Sequence, residues 1–438
     1  MYTLMIAVFI LGYAAIAFEH NLKIDKAAAA LVTGVVCWTL YLFPWPELHE
    51  AHHPLNEPLS EISNILFFLL GAMTIVEVVD AHEGFSIITD RIKTRNIRKL
   101  LWTVSILTFF FSAILDNLTT SIVMISLLRK LIKDQETRWI FAGVVVIAAN
   151  AGGAFSPIGD VTTTMLWIGG QVTSLNIISY IFLPSLVCMM VPLLYLTMRM
   201  RGNVERPSAH EDNKGSAVSK PEQVTVLIAG VLALLFVPVF KTLTHLPPFM
   251  GMMLSLGVIW ILTDLMHRKK DVSIRKSIGV LGVIRKIDTP SVLFFLGILL
   301  AVASLKSGGQ LEDLAQGLDQ TIGTTNQMGI YIVGTIIGAL SAIVDNVPLV
   351  AAAKDMYPIA ETGFFAQDDL FWKFLAYCAG TGGSLLIIGS AAGVAVMGLE
   401  RIPFGWYVKK MSFLAFIGYV GGIAAYIVQR YILFGSAF

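Results

Sequence analysis

Apolar runs and short charged segments alternate along the whole chain. The runs near 2–18, 27–43, 61–79, 139–170, 174–198, 223–240, 246–265, 289–304, 371–400 and 411–433 have the length and composition of membrane-spanning helices. The first begins at the N-terminus without a basic segment before it, so it reads as a span; an uncleaved signal anchor is the same object physically. Lys and Arg then locate the cytoplasm. Segment 80–99 carries Arg91, Lys93, Arg95, Arg98 and Lys99, linker 199–222 carries Arg199, Arg201, Arg206, Lys214 and Lys220, and loop 267–286 carries seven Lys/Arg. All three are expected inside. Loop 44–60 has Glu47, Glu50 and Glu57 without Lys or Arg, and 305–325 has only Lys306, so both are expected outside.

Two further apolar stretches, 100–128 and 327–360, do not fit as simple crossings. The first is basic on both flanks (Arg98 and Lys99, then Arg129, Lys130 and Lys133) and has Asp116-Asn117 at its middle. A helix that crossed would put one basic flank outside, whereas a hairpin that dips in and returns keeps both inside. Backbone that is not helical at that depth is tolerated where it lines a protein-enclosed cavity. The second stretch has the same design without clustered positive flanks and centres on Asp345-Asn346, followed by Pro348. The expected fold is an all-α polytopic membrane protein with ten crossings, two re-entrant hairpins and both termini outside.

The two halves match in order. Leu66-Phe67-Phe68-Leu69 parallels Leu293-Phe294-Phe295-Leu296, and Ser112-Ala113-Ile114-x-Asp116-Asn117 parallels Ser341-Ala342-Ile343-x-Asp345-Asn346. Gly152-Gly153 parallels Gly382-Gly383, and Gly159 parallels Gly389. The offsets stay between 227 and 230 residues, which indicates duplication. Because the first hairpin comes from the cytoplasm and the second from outside, the copies form an inverted-topology repeat, a sign of alternating-access transport.

Composition agrees. The 438 residues are 56% hydrophobic and 14% charged, with a mean hydropathy of +0.74, far from the soluble average. A net charge of +1 carries no nucleic-acid footprint. Cys37, Cys188 and Cys378 lie inside apolar runs and read as small buried residues without a disulfide role.

Each copy pairs a hairpin tip with a later interrupted helix. The first interruption is Asn150-Ala-Gly-Gly153-Ala-Phe-Ser156-Pro157-Ile-Gly159-Asp160. Its glycines and proline remove helix propensity and free carbonyl oxygens. The second, Ala379-Gly-Thr381-Gly-Gly-Ser384 and then Gly389-Ser390, has hydroxyls and backbone but no carboxylate. A hard monovalent cation takes oxygen ligands, by analogy with other hard cations. Ser112, Asp116, Asn117, Thr119, Thr120, Asn150, Asp160, Thr162 and Thr163 supply them, with Asp116 and Asn117 as the expected Na⁺ ligands. A carboxylate in low dielectric holds a proton more readily than in water, and a cation arriving at the same oxygens expels it. Asp116 is therefore the expected exchange site, with Asp345 and Asp160 as further titrating groups.

Plainer readings stand beside these. Asp160 also suits the N-cap of a second half-helix, and Thr162, Thr163 and Thr164 suit hydroxyls bonded to their own helix. His49, His52 and His53 read as solvated exterior residues or as a metal or pH-sensing cluster. Glu77, Asp80, His82 and Glu83 read as a solvated helix end or a proton-sensing one. Glu400 reads as an interface pair with Arg401, and 86–98 and 309–322 as amphipathic interfacial helices.

Segments Ser112–Thr120 and Asn150–Thr163, with their second-half counterparts, resemble the NhaD-type sodium/proton antiporters of the ion transporter superfamily, which also holds dicarboxylate and arsenite carriers. The resemblance covers nearly the whole chain. It implies Na⁺ or Li⁺ exchange for H⁺ in the cell inner (plasma) membrane, an elevator-like movement, and a homodimer. By motif it carries over Ser112, Asp116, Asn117, Asn150, Asp160, Thr162 and Thr163, then Ser341, Asp345, Asn346 and Ser384. It also implies scaffold helices at 1–60, a first repeat at 61–198 (hairpin about 100–131, broken helix about 139–170) and a cytoplasmic linker at 199–222. Scaffold helices and a basic loop follow at 223–286, then a second repeat at 287–438 (hairpin about 327–360, broken helix about 371–400). The second copy departs from symmetry: Val347-Pro348 replaces Leu118-Thr119, Gly380 replaces Asn150, and Ser390 stands opposite Asp160. The competing expectation is a sodium-coupled dicarboxylate or oxyanion carrier, against which stand two tips that both carry Asp. No nucleophile–base pair suggests an enzyme, and no cofactor is expected beyond the transported ions.

Overall fold

The computed structural model describes residues 2–17, 19–43, 53–207, 218–324 and 326–434. Among these the secondary structure is helical, with two isolated β-bridges and no strand. Six helices pack as one group: α1 (Tyr2–Ala17), α2 (Lys26–Leu42), α3 (His53–Ala81), α9 (Lys220–Thr244), α10 (Pro248–Met266) and α11 (Thr289–Ser307). A second group holds α4 (Ile97–Leu115), α5 (Asn117–Leu131), α6 (Gln135–Ala154), α8 (Ser174–Arg199), α13 (Gln327–Leu340), α15 (Leu370–Gly382), α16 (Ala391–Glu400) and α17 (Phe413–Phe434). Helices α7 (Val161–Ile168), α12 (Gln310–Ile322) and α14 (Asn346–Met356) lie where the groups meet: α7 touches α3, and α14 touches α11 and α12.

Eight of the described helices are long and apolar enough to cross a membrane by length and composition. The chain is a polytopic all-α membrane protein. Its apolar helices keep many large side chains outward, including Leu11, Val32, Leu232, Val258 and Ile432, as a lipid-facing surface does. Side chains that cap helix ends mark the boundaries. Asp25 accepts from Ala27 N at 2.8 Å, Asp134 from Thr137 N at 2.8 Å and Asn326 from Gly329 N at 2.7 Å. Each satisfies a backbone donor the helix itself leaves free, an effect of about 1 kcal/mol. Prolines 58, 184, 192 and 238 sit inside helices, as neighbouring helices in a membrane permit.

Two expectations change. Segment 86–98 is not a single helix: it is helical at Ser86–Thr89, breaks, and becomes helical again only from Ile97, where α4 begins. Asn96 takes an extended backbone, caps α4 through Arg98 N and Lys99 N and bridges to Asn203, so its side chain draws the segment out of helix. By contrast, Gln310–Ile322 is an amphipathic helix. Glu400 does not pair with Arg401, which turns left-handed at φ +52°. Its carboxylate instead accepts from Arg129 at 2.7 Å and Arg138 at 2.6 Å, tying together the feet of α5, α6 and α16. The three cysteines are buried and free. His49 and His52 lie outside the described residues.

The Glu400 side chain is 1% exposed, so removing it strands the Arg138 charge. Thermal unfolding in detergent will show Glu400→Ala destabilised by about 3 kcal/mol. Glu136→Ala, from the exposed pair with Lys410 at 4.0 Å, will stay within about 0.5 kcal/mol of the parent.

Candidate functional site

Four helix interruptions converge on one buried polar cluster. The first is the single residue Asp116 between α4 and α5, at φ +92° and ψ 160°. This region belongs almost wholly to glycine, and another residue there stores about 1–3 kcal/mol of strain. Asp116 helps hold itself there by capping α5: its two carboxylate oxygens accept from Thr119 N and Thr119 Oγ1, both at 2.8 Å. The second interruption separates α6 from α7 at Phe155–Asp160. Hydroxyls donate to carbonyls at and beside this break and the first one. Ser112 Oγ donates to Ala149 O at 2.5 Å, Ser156 Oγ to Ala113 O at 2.5 Å, Thr163 Oγ1 to Ala154 O at 3.2 Å and Thr164 Oγ1 to Pro157 O at 3.0 Å.

The third and fourth interruptions, at Ser341–Asp345 and Gly383–Ser390, repeat these contacts. Ser341 Oγ donates to Ala379 O at 2.9 Å, as Ser112 does to Ala149. A Cβ added to Gly159 would stand 2.6 Å from Ser112 O, and one on Gly389 would stand 2.6 Å from Ser341 O. At Gly153 and Gly383 the same atom would meet Gly159 O at 2.5 Å and Gly389 O at 2.7 Å. Only glycine lets these backbones approach so closely.

The centre of the cluster is Asp160, 1% exposed. It caps α7, accepting from Thr162 N at 2.9 Å and Thr162 Oγ1 at 2.7 Å. Its other donors come from both halves of the chain. Asn117 Nδ2 donates to Oδ2 at 2.6 Å, and Asn346 Nδ2 lies 3.4 and 3.3 Å from the two oxygens. Asn150 extends the network. It accepts from Asn117 Nδ2 at 3.1 Å and donates to Ser384 Oγ at 3.0 Å and Ser390 Oγ at 2.9 Å. The asymmetry between the copies thus has a geometric use. Where the second copy lacks an Asn and an Asp, it has Gly380 and Ser390, and Asn150 of the first copy reaches across.

Of the sequence-derived site residues, Ser112, Asn117, Asn150, Ser156, Asp160, Thr162, Thr163, Ser341, Asn346 and Ser384 join this cluster or brace its backbone. Thr119 serves Asp116. Thr120 Oγ1 is buried with no hydrogen-bond partner among the described residues, and Thr381 bonds back to Tyr377 O. Asp345 donates its charge elsewhere: its carboxylate lies 3.4 Å from Lys26 Nζ, with α14 uncapped by it. Sequence reasoning passed over Lys26, which reads as an ordinary basic flank of a span, and left Ser390 off the site although its register opposite Asp160 marked it. At the other end of α3, His82 is fully buried, stacked on His267 with ring centroids 4.9 Å apart. Burial pushes the His82 imidazole down to about 4 and His267 down as well, so a solvated helix end does not describe this residue.

Apolar helices whose breaks meet around one buried carboxylate and its amides are the frame of a membrane transporter. The chain belongs to the family described as citrate transporter, which matches residues 13–372, and to the NhaD-type sodium/proton antiporters within its wider relatives. It is 50% identical over 425 residues to sodium/proton antiporter 1 of Arabidopsis thaliana, covering 97% of this chain and 72% of that one. Sodium/proton antiporter 2 of the same plant is 46% identical over 429 residues, with 97% and 98% covered. The Na⁺/H⁺ antiporter NhaD of Alkalimonas amylolytica is 31% identical over 461 residues, with 96% and 89% covered.

The paired glycine contacts make a matched test. Thermal unfolding will show Gly159→Ala and Gly389→Ala each losing about 1–3 kcal/mol to overpacking. Gly398→Ala, in helix α16 with nothing within 4 Å of its added Cβ, will be neutral or gain up to about 1 kcal/mol.

Proposed function

We propose that this protein exchanges Na⁺ or Li⁺ for H⁺ across the cell inner (plasma) membrane, with cation and proton competing for buried carboxylates. The observation that carries the proposal is the Asp160 carboxylate, buried where both halves meet and held by Asn117, Asn346 and Thr162. A carboxylate in so dry a place must be paired, hydrogen-bonded or protonated. Asn117 and Asn346 offer it amide nitrogen; turned over, the same amides offer oxygen to a cation. Thr120 Oγ1 and the backbone at the break complete a set suited to a hard ion. Asp116 feels the same cation from the first tip and shares the exchange with Asp160. The plant and bacterial relatives are named as sodium/proton antiporters, which supports the same reaction.

The two interrupted segments are re-entrant hairpins of an inverted repeat. Both breaks of one copy repeat the contacts of the other, and their charged flanks call for opposite sides. The group around α2, α3 and α11 forms the scaffold, the group around α6 and α15 forms the moving domain, and the latter carries the cluster across in an elevator-like step. Scaffold helices of such a carrier pair with a second copy in a homodimer.

The second reading, a sodium-coupled dicarboxylate or oxyanion carrier, draws on the description of the family as citrate transporter. An acid at the centre of the cluster repels such a substrate, so cation exchange is preferred.

The test is reconstitution into vesicles with a pH gradient, following internal pH as Na⁺, Li⁺, K⁺ or succinate is added. Na⁺-driven proton movement is expected, lost in Asp160→Asn and strongly reduced in Asp116→Asn. Protons fill the carboxylate as pH falls. Apparent KM for Na⁺ will therefore rise on acidification, approaching about tenfold per unit below the group's pKa for one competing proton. A pH-independent KM, or unchanged exchange in Asp160→Asn, would sink the competition mechanism; Na⁺-driven succinate uptake would favour the second reading.

A further inference from the structure

We propose that Lys26 is a positioning residue that serves as an internal cation for the second hairpin tip, pairing with Asp345 in the cytoplasm-facing state so that this tip carries no transported Na⁺ there. The inference rests on the antiport reading and deepens it.

Three observations carry it. First, the pair crosses between the two helix groups. Lys26 is the first residue of α2, and Asp345 immediately precedes α14; Nζ and Oδ2 are 3.4 Å apart, with the side chains only 19% and 11% exposed. Second, Lys26 is held for this role on its own side: its Nζ sits 4.6 Å from the centre of the Phe294 ring of α11, a cation–π contact that keeps the ammonium near the tip. Third, the level of the contact is informative. Helix α2 has 17 residues, about 25 Å of length, and Lys26 with Lys23 marks its cytoplasmic foot.

The second hairpin comes from the opposite side. Its far end is fastened there, where Lys354 pairs with Glu61 at 2.5 Å and Lys306 with Asp355 at 3.1 Å around a cavity of about 410 Å³. A tip that starts outside and touches the foot of α2 has travelled the full depth of the scaffold. An outward step of the moving group lifts Asp345 away from Lys26. The ammonium, fixed to the scaffold, cannot follow, and Asp345 then needs another positive charge.

Chemistry separates this role from plain bracing. Asn346, the residue after Asp345, lies 3.3 Å from an Asp160 oxygen, so the two carboxylates stand near the same cluster, where like charges repel. With Lys26 in place that repulsion is compensated, and only the Asp160–Asp116 side calls for a mobile ion. Without the ammonium, the uncompensated carboxylate draws Na⁺ toward the cluster and holds it.

The experiment measures Na⁺-driven proton movement in vesicles against Na⁺ concentration for wild type, Lys26→Met, Lys26→Arg, Asp345→Asn and the Lys26→Met/Asp345→Asn double variant. Lys26→Met is expected to lower the KM for Na⁺ about tenfold, which is ~1.4 kcal/mol, and to lower the maximal rate as well. A folding defect lowers the rate alone, because fewer molecules work. Lys26→Arg is expected to restore KM toward the parent. In the Asp345→Asn background, Lys26→Met is expected to shift KM less than about twofold, since the ammonium acts through that carboxylate. Equal shifts in both backgrounds, or an unmoved KM in Lys26→Met, would overturn the role of Lys26 while leaving antiport intact. Wild-type vesicles inert to Na⁺ would instead overturn the antiport reading and this inference with it.

Discussion

A carboxylate enclosed in a bilayer protein has to be surrounded by donors, and the arrangement around Asp160 follows from that need. Its oxygens take Thr162 from its own half-helix, Asn117 from the start of α5 and Asn346 from the start of α14. Three separate helix ends must therefore arrive at one point. Each can arrive only if its helix stops there, so three of the four interruptions are the condition for the cluster, and the fourth adds Ser384 and Ser390 through Asn150. Carbonyls at those stops are met by Ser156, Thr163 and Thr164, and Ser112 and Ser341 bond to carbonyls just before them. Left bare in so apolar a setting, each would carry a desolvation penalty of roughly 1–3 kcal/mol.

The same requirement explains the glycines. Gly159 and Gly389 put their backbones against Ser112 and Ser341 so closely that a methyl group has no room. A close-packed crossing of broken helices is rigid as a unit. In the second helix group the links deep inside are the hydrogen bonds around Asp160, and ion pairs hold its rim, where Glu400 meets Arg129 and Arg138. Where Asp345 and α14 meet the first group the links are Lys–Asp and Lys–Glu pairs, which are sensitive to separation and to solvent.

The two copies are alike in backbone and unlike in charge. The first holds Asn150 and Asp160; the second holds Gly380 and Ser390 in their places. Asn150 bonds to both Ser384 and Ser390, so the second copy completes the first and makes one site from two half-sites. The tips diverge as well. Asp116 turns inward on Thr119 and caps its own helix, whereas Asp345 turns outward to Lys26.

Much of this was legible in the sequence. Hydropathy and the Lys/Arg distribution are local properties, so span positions and the broken segments could be read to within a few residues. The repeat could be read because offsets between Ser112, Asp116, Gly153 and Gly159 and their counterparts are nearly constant. Residue types also marked which side chains are polar at depth. What only the tertiary structure decided is which carboxylate is central. Asp116 looked the stronger candidate because its motif is denser, but chain position does not say where a side chain's oxygens are spent. Asp116 spends them on Thr119, three residues away, while Asp160 gathers Asn346 from 186 positions along the chain. Lys26 and Asp345 are likewise unrelated in sequence and 3.4 Å apart in space. Such contacts arise from how two helix groups stand against each other, a property of the packed whole that no local pattern encodes.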